Sequence, residues 1–161
     1  MSVRPIETIL PEELQPIAFL LGTWRGEGEG EWPGAEPFRF REELTFENVG
    51  KLMLLYRQES WDLADGSPLH FERGFFRVTG PGRFGLILAH QMGCVEVAEG
   101  TVTGTVLECA STSVGLLSTA PPITELRRRM EVSGDRFTYQ LDMGMQDIPL
   151  THHTTSRLEK V

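Results

Sequence analysis

Short runs of alternating apolar and polar residues, separated by turn signals, occupy most of the chain after residue 22. Alternation is typical of β-strands, because successive side chains of a strand point to opposite faces of the sheet. No segment with helical periodicity lies between these runs, so parallel βαβ units are not expected. The pattern therefore predicts an all-β protein built from antiparallel strands.

Ten such runs can be distinguished along the chain. They cover residues 22–33, 38–48, 52–61, 70–79, 84–91, 95–99, 101–110, 125–132, 136–143 and 150–160. Ten antiparallel strands favour an up-and-down β-barrel, because closing the sheet removes its exposed edges. A barrel of this size can hold one small ligand. A two-sheet sandwich is the alternative fold. Glu99-Gly100 is predicted to be a tight connection, and residues 111–120 are polar and weakly patterned.

A short helical signal precedes the first strand, at residues 11–21. Pro11 suits a first helical position, and Glu12 and Glu13 favour the positive end of a helix. Pro16 limits the length of a single helix, so one or two short turns are expected. The apolar residues at helical spacing, which could cap one end of a barrel, are Leu14, Ile17, Ala18 and Leu21.

The opening strand carries a row of glycines, Gly26, Gly28 and Gly30, on the same face as Trp24 and Trp32. A strand interior normally avoids glycine, so the row predicts something bulky close against the backbone. That object is either another element of the protein or a flat ligand. A bend or bulge in a small barrel is a further interpretation, and it is compatible with both.

The size and charge of the chain limit its organisation and its partners. A length of 161 residues suits one domain. The net charge of −8 argues against nucleic acid and anionic membranes as partners, because an acidic chain repels phosphate groups. No run of about 18 apolar residues is present to span a membrane. Residues 1–10 show no signal-peptide pattern.

Charged residues and cysteines form few distinctive clusters in the sequence. We interpret Arg127-Arg128-Arg129 as solvated strand surface, with contact between one arginine and a ligand carboxylate as the alternative. Acidic residues are expected on solvent faces, and no isolated carboxylate pair stands out. Cys94 and Cys109 form no CxxC pair, so a reduced, cytoplasmic protein with ordinary thiols is expected.

The four histidines are the remaining candidates for chemistry, because no hydrolase, metalloprotease or nucleotide-binding motif occurs. Neutral imidazole is a common ligand of iron, zinc and copper. In a regular strand only one of His152 and His153 can point inward. Zinc requires three or four ligands, whereas a haem iron requires one from the protein. One inward histidine therefore favours haem over a bare metal ion, and the alternative is that both are surface residues.

His70 and His90 stand at strand ends. Each taken alone is interpreted as a polar strand-end residue. Either one could instead lie over a bound cofactor, on the side away from the axial histidine.

Five ordered segments carry a resemblance to a known family. They are Gly22-Thr23-Trp24-Arg25-Gly26-Glu27-Gly28, Glu36-Pro37-Phe38 with residues 41–46, Gly74-Phe75-Phe76-Arg77, Gly93-Cys94-Val95-Glu96-Val97, and Pro149-Leu150 followed by His153. From about Leu20 to Val161 the chain resembles nitrobindins, which are haem-binding β-barrel proteins. The first segment is similar to the GxWxGxG signature of that family. The resemblance implies one domain over residues 1–161, with residues 1–10 as an N-terminal arm.

The resemblance also implies a site. The fold would be a ten-stranded antiparallel barrel, like that of lipocalins and fatty-acid-binding proteins, with haem b at one open end. The iron would be held by one histidine of the last strand, which is His153 here. The residues implied to contact the cofactor are His153, Gly22, Trp24, Gly26, Gly28, Leu69, His70 and His90. No catalytic residue is implied beyond the haem iron itself.

Strand alternation disagrees with this choice of axial histidine. Simple alternation places His152 on the face of Leu150 and Leu158, and this makes His152 the alternative ligand. A bulge near Thr151 would bring His153 inward, and bulges are common at barrel rims.

The implied activity is that of an isomerase, which converts peroxynitrite to nitrate at a ferric haem, and nitric oxide binding is implied as well. The partners would then be small molecules rather than nucleic acid or membrane, and a homodimer is left open. The alternative function is a non-enzymatic carrier of a fatty acid or another apolar small molecule in the same barrel.

Overall fold

The computed structural model describes residues 9–161, and most of the predicted N-terminal arm lies outside this range. A 3₁₀ helix at Glu12–Leu20 precedes the strands. The ten strands are β1 (Gly22–Gly30), β2 (Phe38–Lys51), β3 (Met53–Asp62), β4 (Pro68–Gly80), β5 (Arg83–His90), β6 (Cys94–Thr103), β7 (Val106–Leu116), β8 (Ile123–Ser133), β9 (Arg136–Met145) and β10 (Ile148–Lys160). Within the described residues, no helix has the length and hydrophobicity that a membrane span requires.

The ten strands form one closed antiparallel barrel. Each strand pairs with its neighbours in the sequence, and β1 pairs with β10 to close the sheet. Every strand therefore has two partners, and no edge is left to extend. The predicted up-and-down barrel is confirmed, and the sandwich alternative is excluded.

The predicted bounds of the two strands β6 and β7, residues 95–99 and 101–110, are wrong, and so is the tight connection between them. Glu99-Gly100 lies inside β6, and the chain turns at Gly104, whose φ is +59°. Gly100 is needed for close packing, because a Cβ atom there would collide with the backbone of Glu108 on β7. The strand β7 continues to Leu116 through the weakly patterned segment. A register shift opposite Val97 and Ala98 interrupts its alternation, and this hides the strand from a pattern of period two.

The 3₁₀ helix covers one end of the barrel with its apolar face. Leu14, Ile17 and Leu20 are its buried residues. Their spacing of three matches the three residues per turn of a 3₁₀ helix, and this explains why Leu20 is buried in place of the predicted Leu21. The indole Nε1 of Trp24 donates a hydrogen bond to the Leu20 carbonyl oxygen over 2.8 Å. This contact joins the helix to the start of β1.

Aromatic side chains fill the barrel interior next to the helix. Trp24 packs against Phe137 with a centroid distance of 5.3 Å, and Phe46 meets the ring of Phe76 edge-on at 5.2 Å. Phe84 stacks on Phe76 from the other side. The protein's own side chains therefore close this half, and space for a ligand can exist only in the opposite half.

The glycine row of β1 accommodates other elements of the protein. A Cβ atom at Gly28 would lie 2.5 Å from the ring of Phe40 and 2.6 Å from the Thr155 carbonyl oxygen. A Cβ atom at Gly30 would likewise collide with the Phe38 ring, and one at Gly26 would collide with the β10 backbone. The row thus lets two aromatic rings of β2 and the strand β10 approach β1 closely, and the flat-ligand interpretation is not needed.

Candidate functional site

A cavity of about 330 Å³ occupies the barrel half that lies away from the 3₁₀ helix. Its lining residues come from the starts of β2, β4, β8 and β10 and from the ends of β3, β5 and β9, which meet at one end of an antiparallel barrel. The volume falls within the range of small-molecule and cofactor sites. Its apolar wall includes Trp32, Phe38, Phe40, Met92, Leu126 and Met143.

His153 lines this cavity, and one of its ring nitrogens is hydrogen-bonded to the backbone. Its Nδ1 lies 2.7 Å from the Glu31 carbonyl oxygen. A carbonyl oxygen can only accept, so Nδ1 carries the hydrogen and the neutral ring keeps a lone pair on Nε2. Burial lowers the pKa of His153 below its ordinary value, although the hydrogen bond to Glu31 opposes this shift. The ring is therefore a neutral nitrogen donor held in one orientation.

A β-bulge decides which of the two adjacent histidines reaches the cavity. His152 pairs with Asp142 and Thr154 pairs with Leu141, so His153 is an extra residue without a partner on β9. Both His153 and Thr154 then line the cavity, while the His152 ring lies 2.6 Å from the Thr155 hydroxyl and outside the lining. The bulge falls at His153 itself, and a second register shift lies between Ile148 and Thr151.

The other residues predicted to contact a cofactor divide into two groups. Leu69, His70 and His90 line the cavity together with His153. Gly22, Trp24, Gly26 and Gly28 do not line it. These four have packing roles instead, because the glycines admit close neighbours and Trp24 belongs to the core beside the 3₁₀ helix.

A buried ionic cluster lies beside the cavity, which its members Glu72 and Tyr139 line, and the sequence interpretation missed it. Arg128 is not on the solvated surface, since its side chain is only 1% exposed. Its guanidinium binds Glu72 at 3.1 Å and also contacts Glu96 and the hydroxyl of Tyr139. The expectation that acidic residues lie on solvent faces is wrong for Glu72 and Glu96, which are buried.

The Arg128 guanidinium is the strongest favourable influence on the ionisation of this cluster. Burial alone raises the pKa of Glu72 and of Glu96, but the Arg128 charge and the adjacent histidines, His90 for both and His70 for Glu72, together outweigh it and hold both pKa values below the ordinary range. Both carboxylates are therefore ionised near neutral pH. The two glutamates raise the pKa of Arg128 further against the effect of its burial.

The alternation of apolar and polar residues along the strands already indicated that these carboxylates are buried. Glu72 shares a face with Phe76, and Glu96 shares one with Cys94 and Ala98. A carboxylate on the apolar face of a strand is a candidate for burial with a partner. Arg128 stands in the same way between Leu126 and Met130, whereas Arg127 and Arg129 point outward.

Glu42 is a third buried carboxylate at the cavity, and it lacks a cationic partner at contact distance in the described part of the chain. One of its oxygens accepts a hydrogen bond from Ser156 Oγ over 2.7 Å, and the other has no hydrogen-bond partner there. Burial raises the pKa of Glu42 to about 8. The side chain is therefore largely protonated at neutral pH.

We expect Glu42 to make the protein less stable as the pH rises. The folded state keeps a proton up to about pH 8 that the unfolded chain releases near its ordinary pKa, so the stabilisation is full below about pH 4.5 and is lost toward pH 8. The free energy of unfolding should fall by up to about 1.4 kcal/mol per pH unit in this window. Glu42→Gln should flatten the slope in urea titrations at several pH values. The exposed control Glu27→Gln should retain it, and a full slope in Glu42→Gln would contradict the expectation.

Fold and site together define an antiparallel β-barrel with a ligand cavity, in which one oriented imidazole lies among aromatic and apolar side chains beside a buried polar cluster. The chain belongs to the THAP4-like, heme-binding beta-barrel domain family, known also as the nitrobindin family, and the family model matches residues 13–160. The resemblance inferred from the sequence motifs is confirmed at the level of the family.

Proteins similar to this chain include named enzymes and a solved structure. The chain is 42% identical to "Peroxynitrite isomerase 2" of Mycobacterium marinum, over 94% of this chain and 99% of that protein. It is also 42% identical to "Peroxynitrite isomerase 1" of Mycolicibacterium paratuberculosis, over 95% and 98% of the two chains. The crystal structure of Rv2717c from M. tuberculosis superimposes with a TM-score of 0.88 at 40% identity, covering 95% of this chain and 99% of that one.

Proposed function

We propose that this protein binds haem b in the cavity and isomerises peroxynitrite to nitrate, and that the same site binds nitric oxide. The observation that carries the proposal is His153, which lines a largely apolar cavity with its Nδ1 bonded to the Glu31 carbonyl and a lone pair left on Nε2, in a chain whose relatives are named peroxynitrite isomerases. The two cysteines are free and buried, which supports a reducing, cytoplasmic setting.

The residues of the cavity fit a haem group. A haem iron needs one strong protein ligand and a largely apolar pocket for the macrocycle. His153 offers a neutral imidazole, and the Glu31 carbonyl fixes its ring orientation as the second-shell partner of a metal-bound histidine commonly does. Trp32 and Phe38 meet the His153 ring edge-on, with centroids 5.6 Å and 6.3 Å away. These rings restrict the motion of the imidazole and keep water from it.

Haem would supply a ferric iron with one coordination position open to peroxynitrite. The chain would then hold and orient the group through His153 and shield the pocket with its apolar wall. Among the polar side chains of the lining, His70 remains 22% exposed, so an anionic substrate could reach it.

The test is peroxynitrite decay in the presence of the hemin-loaded protein. We expect a decay rate that rises in proportion to the loaded protein, together with an increased yield of nitrate relative to nitrite. The controls are an equal concentration of free hemin and the protein without hemin. A rate no greater than that of free hemin would refute the isomerase activity, and a protein that takes up no hemin would refute the cofactor.

The alternative, a carrier of fatty acids, has less support from the cavity. A carrier needs a free cation or donor for the carboxylate of its ligand. Arg128 is a buried cation behind the lining residue Glu72, and it is already paired with Glu72 and Glu96. Displacement of a fluorescent fatty acid by hemin would distinguish a haem pocket from a general lipid site.

A further inference from the structure

Three side chains of the kinds that bind metal ions lie close together at the cavity, on the neighbouring strands β4 and β5. His70 and Glu72 stand two residues apart on β4 and point to the same face. His90 lies directly opposite Glu72 on β5. The antiparallel pairing therefore brings two imidazoles and one carboxylate together at one point of the barrel wall.

The atoms of this group have the separations of metal ligands. His70 Nε2 lies 3.1 Å from Glu72 Oε1 and 3.1 Å from His90 Nδ1. Glu72 Oε1 and His90 Nδ1 are 3.7 Å apart. A tetrahedral zinc ion with ligands at its usual bond lengths places neighbouring ligand atoms about 3.3 Å apart. We propose that His70, Glu72 and His90 form a binding site for a divalent transition-metal ion of the zinc type, separate from His153.

With both histidines neutral, as metal ligands are, hydrogen bonding alone leaves this group short of hydrogens. His90 Nε2 lies 2.8 Å from the Glu96 carboxylate, which can only accept, so a neutral His90 has a lone pair on Nδ1. Glu72 Oε1 is an acceptor as well. A single hydrogen on His70 Nε2 would have to serve both atoms. A metal ion at the centre satisfies all three lone pairs at once.

The surroundings supply the outer shell that metal ligands need. Glu96 accepts the hydrogen of His90 Nε2, so the pair forms a carboxylate–histidine unit directed at the site. Arg128 donates to Glu72 Oε2 over 3.1 Å, with a longer contact of 3.4 Å to Oε1. Both the buried histidine and the ligating carboxylate are thereby held in orientation.

The negative charge and the unpaired hydrogen-bond acceptors of this region also favour binding of a cation. Glu72 and Glu96 place two carboxylates against the single guanidinium of Arg128, while imidazoles bind metals in the neutral form. Within residues 9–161, Gln58 Oε1 and Glu96 Oε2 are buried without a hydrogen-bond donor, whereas Arg128 Nε is the one buried nitrogen donor without an acceptor. Gln58 lies directly opposite Glu72 on β3. A buried excess of acceptors is costly unless a cation compensates it.

The proposed ion would face the cavity with a coordination position open. His70, Glu72 and His90 all line the cavity, and three protein ligands leave room for a fourth. Two histidines and one glutamate are a ligand set found in catalytic zinc sites, where water or an anion takes the remaining position. The barrel would then hold two metal centres, one at His153 and one at this triad.

Zinc binding tests the proposal on the full chain with its affinity tag removed, both with hemin loaded and without hemin. Calorimetric titration with ZnCl₂ should give one ion per chain, and Co²⁺ should give the visible absorption of a four- or five-coordinate site. His70→Ala and His90→Ala should each weaken zinc binding by more than about 100-fold, and Glu96→Gln by about 10- to 100-fold. Circular dichroism checks that each variant is folded.

Matched variants at the other two histidines test whether zinc binds at this triad rather than elsewhere in the barrel. His152→Ala and His153→Ala should retain wild-type zinc affinity, although His153→Ala is expected to lose hemin. Should His90→Ala fail to fold, the partly exposed His70 and the conservative Glu96→Gln change still decide the outcome. Wild-type protein that binds zinc no more tightly than His70→Ala would show a hydrogen-bonded triad without a metal and overturn the proposal. Equal weakening in His152→Ala would do the same.

Discussion

His153→Ala should weaken hemin binding by at least about 100-fold, which corresponds to about 2.7 kcal/mol. The variant removes the ring whose Nδ1 is bound to the Glu31 carbonyl and whose Nε2 faces the cavity. No other imidazole takes this place in the described part of the barrel, because His70 and His90 are held in the polar cluster of the opposite wall. Titration with hemin, followed by the Soret absorption, measures the loss.

His152→Ala is the matched control for this experiment, since it removes the adjacent imidazole of the same strand. His152 contacts the Thr155 hydroxyl and does not line the cavity, so hemin affinity should stay within about twofold of wild type. External imidazole should partly restore the Soret spectrum of His153→Ala by filling the space of the lost ring. The assignment of His153 as axial ligand would be abandoned if the two variants exchanged these results.

Arg128→Leu should lower the free energy of unfolding by about 3–5 kcal/mol, because it leaves the buried carboxylates of Glu72 and Glu96 without their cation. Arg127→Leu is the matched control one residue away, where the side chain points to solvent. That variant should change stability by less than about 0.5 kcal/mol. Chemical denaturation of both variants at neutral pH measures the difference.

The pH dependence provides a second test of the same cluster. Arg128 depresses the folded-state pKa values of Glu72 and Glu96, so their stabilisation is present above the ordinary carboxyl pKa and is lost as the pH falls through the lowered values. The difference in the free energy of unfolding between wild type and Arg128→Leu should therefore become smaller in acid, where the unpaired carboxylates become protonated. A deficit that is equal at neutral and acidic pH would point to lost packing rather than to unpaired charge.

Local features of the sequence were sufficient to predict most of the barrel. The short gap between the predicted strands at residues 125–132 and 136–143 consists of the turn-forming residues Ser133-Gly134-Asp135, and Gly134 adopts a φ of +61° there. The strands β2 and β9 alternate almost throughout, so their faces could be assigned from neighbouring residues alone. Prediction failed at Gly100, where a glycine needed for close packing was interpreted as a turn inside an alternating strand, and in the second half of β7, where a bulge breaks the period of two.

The candidate site was only partly predictable, for a related reason. The resemblance indicated His153, whereas regular alternation indicated His152, and the bulge at His153 reconciles the two. The ionic cluster was missed because Arg128 was interpreted with its two exposed neighbours instead of by its own face. The glycine row did signal close packing, but the sequence could not show that aromatic rings of β2 provide it.

The sequence by itself determined the strand order and the antiparallel pairing, because the period of two and the turn residues are encoded between near neighbours. The tertiary structure alone decided which side chains share the cavity. Arg128 meets Glu72 and Glu96 across 56 and 32 residues of sequence, and His153 meets Glu31 across 122. Closure of the barrel and the bulge in β10 determine these long-range contacts. No local sequence pattern specifies which distant strands a closed sheet brings together.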